Sequence, residues 1–229
     1  IRRQRQMCIR DSGCRAIVLT GEGKFFSAGA DLVAFQKSID EGDSVQLIRE
    51  LTDTLHPLLT KMRSSKTIFV AALNGASAGG GLGLALACDV RVASSSAKMA
   101  ASYSGIGLSP DGGTTWLLPR LVGEQSARKF FLENQVWNAE EAHYLGAIDE
   151  LVSDEELIPR AVELANFMSQ WGDHTKEATK HLLLSQNFND FETHLKHEQT
   201  LIEAAGTTSA FSEGVDAFLS KRRPNFQEK

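Results

Sequence analysis

Two short glycine-flanked segments hold the residues of this sequence that are best suited to chemistry on a carbonyl group. One spans 26–31 (FSAGAD) and the other 74–81 (NGASAGGG), and each follows an apolar stretch that predicts a strand. A helix that starts just past each turn would leave its first backbone N–H groups without partners. If the N–H groups of Ala30 and Gly80 point at one spot, they polarise a thioester carbonyl and hold the negative charge that develops on its oxygen. The two segments therefore predict an oxyanion hole.

Tight packing is the structural alternative for both turns, because glycine is the usual residue wherever the backbone is strained. A single segment of this kind does not separate the two interpretations. The presence of two such segments, the second with three consecutive glycines at 79–81, favours a functional site.

Several further segments share the order and spacing of a known family. From about Gly13 to the C-terminus the sequence resembles the crotonase (enoyl-CoA hydratase/isomerase) superfamily, and most closely its isomerase branch. The matching segments are 25–32 (FFSAGADL), 74–83, 87–89 (ACD), 107–113 (GLSPDGG) and 217–219 (AFL). The resemblance implies an α/β protein with the ClpP/crotonase fold, a crotonase-like spiral of ββα units with a helical C-terminal part. It also implies an acyl-CoA thioester as substrate, assembly as a homotrimer or dimer of trimers, and no cofactor beyond the coenzyme A of the substrate.

The acid–base residues separate two reactions within this family. The resemblance implies that members which hydrate enoyl-CoA use two carboxylates, and the matching positions here hold Gly83 and Tyr103. Neither side chain moves a proton between water and carbon as a carboxylate does. Simple hydration is therefore not expected, and a hydratase-like enzyme of fatty-acid or aromatic catabolism stands as the alternative.

Asp111 is the acid that the resemblance assigns to catalysis. The stretch 107–113 fits the Gly-Leu-x-Pro-(Asp/Glu)-Gly-Gly turn of the isomerase branch, whose acid moves a proton from one carbon to another. A structural alternative takes Ser109 as an N-cap, Pro110 as the first helical residue and Asp111 as an acid favoured by the helix dipole. We expect Asp111 to be the catalytic base of an acyl-CoA isomerase, and a base of this kind works best in apolar surroundings.

Other residues are assigned to substrate binding, mainly by the resemblance. The backbone around Ala28, Asp31 and Leu32 is expected to hold the pantetheine and adenine end of coenzyme A, although Asp31 is also a good helix N-cap. Phe218 and Lys221 on the last helix are expected to help close the site. The remaining assignments are Gly79 beside the donor amides, Tyr103, and Thr114 with Thr115 and Trp116 as the lining of an acyl pocket.

Two functions of other classes stay open at the level of the sequence. Residues 75–79 match the Gly-x-Ser-x-Gly elbow of serine hydrolases, with Ser77 as the nucleophile and Asp173 with a nearby histidine as its partners. A non-catalytic acyl-CoA-binding scaffold would keep the pocket and make Asp111 structural.

The histidines are not expected to bind a metal. His194 and His197 lie three residues apart on a predicted helix, but no third ligand follows at a suitable spacing, which favours a solvated helix face. The other histidines, His56 among them, are expected to be surface or partly buried residues of helices.

Composition restricts the partners of the chain. Its 229 residues carry a formal net charge of -5, which argues against a nucleic-acid partner. The longest apolar stretch, 67–73, is too short to span a bilayer, so no membrane partner is expected. Three cysteines in no recognisable framework indicate a reducing, cytoplasmic setting.

The chain is divided into three parts by its patterning. Residues 1–12 are rich in arginine without any period and are interpreted as a non-native or disordered segment, with the natural N-terminus missing. Residues 13–165 are expected to form the crotonase core, truncated at its N-terminus. Residues 166–229 are expected to form a helical region for oligomerisation or for a lid.

Hydrophobic periodicity predicts alternating strands and helices in the core and mainly helices after it. The predicted strands are 16–19, 67–73 and 89–93, and 147–152 stands out as a short apolar run among the helical patterns. The predicted helices are 45–62, 80–87, 124–133, 139–145, 154–169, 175–188, 191–205 and 209–221, and 36–44 is treated as a loop.

Overall fold

Eight strands in the described part of the chain form two four-stranded sheets. The computed structural model describes residues 13–186 and 190–226. The strands are β1 (Ala16–Thr20), β2 (Phe25–Ser27), β3 (Ile68–Leu73), β4 (Ala76–Ala78), β5 (Val90–Ser94), β6 (Lys98–Ala100), β7 (Val136–Asn138) and β8 (Glu150–Val152). One sheet has the order β1-β3-β5-β8, and the other has the order β2-β4-β6-β7.

Helices connect these strands and form the C-terminal part. They are α1 (Leu32–Glu41), α2 (Ser44–Ser64), α3 (Gly80–Ala87), α4 (Thr114–Val122), α5 (Glu124–Leu132), α6 (Ala139–Tyr144), α7 (Leu157–Ser169), α8 (Asp173–Ser185), α9 (Phe191–Ala205) and α10 (Ser209–Leu219). A short 3-10 helix spans Ser104–Ile106.

The first six strands alternate between the two sheets, as the predicted ββα units require. β1, β3 and β5 belong to one sheet, and the strands that follow them, β2, β4 and β6, belong to the other. Four of the pairings are parallel, namely β2–β4, β4–β6, β3–β5 and β5–β8, whereas β6 and β7 are antiparallel. Parallel neighbours need a crossover connection, which α1 and α2 provide after β2 and which α3 provides after β4. The predicted α/β fold with a helical C-terminal part is confirmed.

The main apolar core lies around β3 and α3. Every residue of β3 is buried, which is typical of a parallel strand covered on both faces. Leu82 and Leu86 of α3 are at most 1% exposed, and a helix that is apolar on all sides packs in a core. Each fully buried side chain of this size contributes about 1.5–3 kcal/mol through the hydrophobic effect.

The described residues divide into two compact units, each defined by the contacts among its own residues. The larger contains 18–62 and 69–163, and the smaller contains 13–17, 63–68 and the described residues from 164 onward. The predicted boundary between 165 and 166 stays a prediction, because two earlier segments also belong to the smaller unit. The predicted N-terminal segment 1–12 lies outside the described residues.

A charged cluster stabilises the smaller unit. One oxygen of the Asp173 carboxylate lies 3.3 Å from Arg15 and 3.0 Å from Lys176, and the other lies 2.8 Å from Lys66. Burial raises the pKa of Asp173, but the two lysine ammonium groups outweigh this and hold it below its ordinary value. Burial also lowers the pKa of Lys176, and the Asp173 carboxylate offsets only part of that effect.

Several predicted elements agree with the structure, and one loop was wrong. The helices predicted at 80–87 and 191–205 have the observed bounds of α3 and α9. The segment 36–44, treated as a loop, instead lies largely in α1, which runs to Glu41. Gly42, with a left-handed φ of 76°, then ends the helix.

The structural alternative for the Asp111 turn was also wrong. Ser109 and Pro110 do not start a helix, since α4 begins at Thr114 with Gly113 at its N-cap position. Asp111 therefore lies in an irregular turn ahead of the helix, and its place there is not explained by the helix dipole.

Candidate active site

The two glycine-flanked turns lie side by side because β2 and β4 pair in parallel. The register places Ser27 opposite Ser77. Beyond the strands the two backbones stay in contact, since a Cβ atom on Gly29 would lie 2.9 Å from the carbonyl oxygen of Ala78 and 3.3 Å from the amide nitrogen of Gly80. The backbone segments that hold the two predicted donor amides therefore meet.

A helix begins directly after each of these turns. α1 starts at Leu32, and the Asp31 side chain accepts a 2.8 Å hydrogen bond from the amide of Val33, which confirms Asp31 as an N-cap. α3 starts at Gly80, after Gly79 with a φ of 52°. Because Gly79 has no side chain to cap it, the start of α3 offers backbone donors to other acceptors.

A third turn meets the start of the same helix. A Cβ atom on Gly83 would overlap the carbonyl oxygen of Gly112, and one on Gly112 would lie 3.8 Å from the Cα of Gly80. Only glycine at position 83 lets the turn 107–113 approach α3 this closely. The turn thereby brings Asp111 to the part of α3 that carries the predicted donor.

The Asp111 carboxylate is paired with an imidazole on α2. Its Oδ1 lies 2.8 Å from Nε2 of His56, and the two side chains are 40% and 52% exposed. Leu55, the preceding residue of α2, contacts the second and third turns, with Cδ2 at 3.2 Å from a Cβ position on Gly80 and 3.6 Å from one on Gly112. The apolar enclosure that the sequence led us to expect around Asp111 is thus only partial.

Two hydroxyl groups donate hydrogen bonds to the backbone carbonyl of Asp111. The Tyr103 hydroxyl donates to the Asp111 carbonyl oxygen at 3.0 Å, and the Thr114 hydroxyl donates to the same oxygen at 2.9 Å. Tyr103 is 7% exposed and Thr114 is fully buried. Burial raises the pKa of Tyr103 to about 12, so its hydroxyl remains protonated and able to donate.

Comparison with known proteins identifies the family to which this arrangement belongs. The sequence profile of a family described as enoyl-CoA hydratase/isomerase matches residues 6–229. The chain belongs to the enoyl-CoA hydratase/isomerase family. It is 35% identical over 221 residues to 1,2-epoxyphenylacetyl-CoA isomerase of Escherichia coli (strain K12), with 96% of this chain and 84% of that protein covered.

Other relatives bear the names of other reactions in the family. The chain is 32% identical to crotonyl-CoA hydratase of Syntrophomonas wolfei subsp. wolfei, with 96% of this chain and 83% of that protein covered. A crystal structure of enoyl-CoA hydratase from Bacillus anthracis is 28% identical and superposes with a TM-score of 0.88, covering 98% of this chain and 85% of that one. Since the relatives include an isomerase and hydratases, the family alone does not define the reaction.

Tyr103 and Thr114 were assigned to substrate binding from the sequence, and that role stays a prediction. Both side chains are buried, and both hydroxyl groups are bonded to the backbone of Asp111. They are therefore suited to supporting the Asp111 turn. Thr115 lies exposed beside them and Trp116 half-buried, with the Arg120 guanidinium 3.6 Å above the Trp116 ring.

The two residues assigned from the last helix lie in the smaller unit. Phe218 is 83% exposed on α10. Lys221 lies past the end of that helix, which stops at Leu219, so the predicted extension to 221 was wrong. Lys221 has a φ of 56°, a left-handed conformation that ends the helical path. Their role in closing a site stays a prediction.

His56 is the residue of this site that sequence reasoning missed. Its half-exposed position on a helix agrees with the prediction, but the contact of its Nε2 with Asp111 was not foreseen. The available signal was its position next to Leu55, which belongs to the apolar stripe of a predicted helix. A polar residue at the edge of such a stripe faces whatever the helix packs against.

The serine hydrolase alternative is contradicted by the structure. Ser77 lies inside β4 and is fully buried, and its hydroxyl donates to the carbonyl oxygen of Lys98 at 3.2 Å. A nucleophilic serine needs an exposed oxygen at a sharp strand-to-helix turn. Ser77 is thus part of the sheet.

Residues 13–186 and 190–226 contain no group of three or more metal-ligating side chains. None of their helices is both long and apolar enough to cross a bilayer.

Proposed function

We propose that this protein is an acyl-CoA isomerase that shifts a double bond in an enoyl-CoA or a ring-bearing acyl-CoA. The observation that carries the proposal is the meeting of three turns at the start of α3, with the Asp111 carboxylate on one of them. The family provides the coarser part of the proposal, an enzyme related to hydratases and isomerases of coenzyme A thioesters.

In the proposed reaction, the thioester oxygen sits between the amides of Ala30 and Gly80. Asp111 takes the proton from the carbon next to the thioester, and the electron pair moves toward the oxygen to give a dienolate. Asp111 then returns the proton to the far carbon of the double bond, so the bond moves and no group is gained or lost. Removing one oxyanion donor of this kind costs about 3–4 kcal/mol in the barrier.

Two features argue against hydration by a pair of carboxylates. A carboxylate at position 83 has no room, because even a Cβ atom there would overlap the carbonyl oxygen of Gly112. Tyr103, at the other position, is buried and bonded to the Asp111 backbone. A single carboxylate suits proton transfer between two carbons better than addition of water.

We further propose that the chain assembles as a homotrimer or dimer of trimers. Several apolar side chains of the larger unit are more than half exposed, including Val33, Ile39, Val45 and Leu132. Where such side chains form a contiguous patch, another subunit commonly covers them. Sedimentation equilibrium at several concentrations should give a mass three or six times that of the chain.

The reaction is tested with a panel of 3-enoyl, 2-enoyl and ring-bearing CoA thioesters in deuterated water. We expect deuterium only in an isomerised product, since one carboxylate exchanges its proton with solvent between removal and return. A hydrated product would contradict the proposal and favour the hydratase alternative.

Replacement of the base separates catalysis from binding alone. Asp111→Asn keeps the shape of the side chain and removes its basicity, and we expect turnover to fall by a factor of about 100 or more. Unchanged turnover would remove Asp111 from the mechanism. Thioester binding without turnover by the wild-type protein would instead favour the non-catalytic scaffold.

A further inference from the structure

The side chain of Asp111 is the least constrained part of an otherwise fixed turn. Its carbonyl oxygen receives hydrogen bonds from the hydroxyl groups of Tyr103 and Thr114. Its carboxylate is 40% exposed and is hydrogen-bonded through Oδ1 to His56. Among the described residues, none makes a hydrogen bond to Oδ2. The orientation of the carboxylate therefore depends on one contact.

We propose that His56 is a positioning residue that fixes the Asp111 carboxylate. The Nε2–H group of His56 donates to Oδ1, so that Oδ2 faces the substrate as the oxygen that takes and returns the proton. This inference rests on the proposed isomerase function. Proton transfer needs the reacting atoms about 3–3.5 Å apart with their orbitals aligned, and a freely rotating carboxylate spends little time in that geometry.

The helical turn that carries the imidazole also contacts the start of α3, where the predicted donor amide lies. His56 follows Leu55, whose side chain packs on both Gly80 and Gly112. One turn of α2 therefore contacts the start of α3 and the Asp111 turn together. A shift of α2 would move the imidazole and these glycine contacts in concert.

A stabilising role does not account for the pair. Both side chains are about half exposed, and exposed ion pairs contribute only about 0–1 kcal/mol to stability. The contact instead removes rotational freedom from one carboxylate at the point where three turns meet. Its effect should appear in turnover and not in unfolding.

Two substitutions of His56 test the hydrogen bond. His56→Gln keeps an N–H donor near the position of Nε2, whereas His56→Ala removes it. We expect kcat of His56→Ala to fall by about 10- to 100-fold with KM within about twofold of wild type, the range expected for a lost hydrogen bond to a charged group. His56→Gln should recover kcat to within about fivefold of wild type, and Arg49→Ala, on the exposed face of the same helix, should match wild type.

Three kinetic outcomes would overturn the proposal. One is a kcat of His56→Ala within about twofold of wild type, less than any lost charged hydrogen bond would give. The second is a His56→Gln variant that is no better than His56→Ala. The third is a change confined to KM, which would indicate a role in binding.

A measurement without turnover keeps this test separate from the proposed function. In protein labelled with nitrogen-15 histidine, we expect the His56 Nε2 resonance to shift in Asp111→Asn, while the resonances of His143 stay in place. Identical His56 resonances in both proteins would overturn the inference even if the wild type isomerises thioesters. If no thioester is isomerised, the proposed function fails, and the resonances still decide whether the pair forms. The same spectra decide the matter if His56→Ala does not fold.

Discussion

At the scale of the residue, the contacts of Asp111 bear on its proposed role as a base. Its backbone carbonyl accepts hydrogen bonds from Tyr103 and Thr114, and its side chain is hydrogen-bonded to His56. Tyr103 occupies a position where the resemblance implies a second carboxylate in hydratases. In this chain the position holds a phenol instead of a carboxylate, and the phenol hydroxyl donates a hydrogen bond to the backbone of Asp111.

Loss of the Tyr103 hydroxyl should slow the reaction without abolishing it. In Tyr103→Phe the Thr114 hydroxyl still holds the Asp111 carbonyl, so we expect kcat to fall by about 3- to 10-fold, corresponding to one neutral hydrogen bond. Steady-state kinetics on the isomerised thioester provide the measurement. Tyr144→Phe is the matched control, since Tyr144 is 89% exposed. Equal effects of the two substitutions would contradict the assigned role.

The same residue predicts a stability change at high pH. Burial raises the pKa of Tyr103 from 10.0 to about 12 in the folded protein. The folded state therefore binds the proton more tightly, so this contribution to stability is present below pH 10 and is lost as the pH rises to about 12. Urea unfolding across this pH range should show that the free energy of unfolding falls more steeply with pH in wild type than in Tyr103→Phe. Parallel curves would contradict the burial of an un-ionised phenol.

At the scale of the element, glycines decide how closely the third turn approaches α3. Ala substituted at position 83 would meet the backbone of Gly112, which is not the movable end of a side chain. The turn 107–113 must then shift, and Asp111 shifts with it. Short strands and helix starts carry this site, so small backbone movements reach its chemistry directly.

Gly83→Ala should therefore impair both stability and turnover. We expect a loss of about 1–3 kcal/mol in the free energy of unfolding, as for overpacked cores, and a fall in kcat. Chemical denaturation and steady-state kinetics measure the two effects. Gly13→Ala is the control, because a Cβ atom there would meet no other atom within 4 Å. A Gly83→Ala variant as stable and active as this control would show that the turn has room to spare.

At the scale of the whole molecule, two units are stabilised by different means. The larger unit has an apolar core around β3 and α3. The smaller unit combines helices with the charged cluster at Asp173. Lys176 is buried in that cluster, and a buried ammonium group is costly unless a carboxylate accompanies it.

Acid should weaken the smaller unit through Asp173. The pKa of this carboxylate is below its ordinary value of 3.8, because the nearby lysines outweigh the effect of burial. Its contribution to stability is thus present above pH 3.8 and is lost as the pH falls below that value. Asp173→Asn should cost about 1–2 kcal/mol at neutral pH, after allowance for solvent screening, and should flatten the acid limb of the stability curve. Glu177→Gln, exposed on the same helix, should change neither, and an equal response of both variants would contradict the role of the cluster.

Much of the fold follows from patterns along the chain. The run of small and apolar residues at 80–87 predicted both ends of α3 correctly. The apolar run at 67–73 predicted the end of β3 correctly and its start one residue too early. Long periodic segments show their structure locally because most of their contacts repeat every few residues. A strand of three residues has no measurable period, so β2, β4, β6 and β7 were not predicted, and β8 was marked only by the apolar run at 147–152.

The sequence by itself determined which residue types stand at the site: glycines in the turns, an acid at 111 and no carboxylate at 83 or 103. Only the tertiary structure decided which of them meet. Parallel pairing of β2 with β4 joins the two turns, and packing of α2 sets His56 against Asp111, although they are 55 positions apart. Contacts over such separations depend on how whole elements pack, and no local pattern of residues encodes that packing.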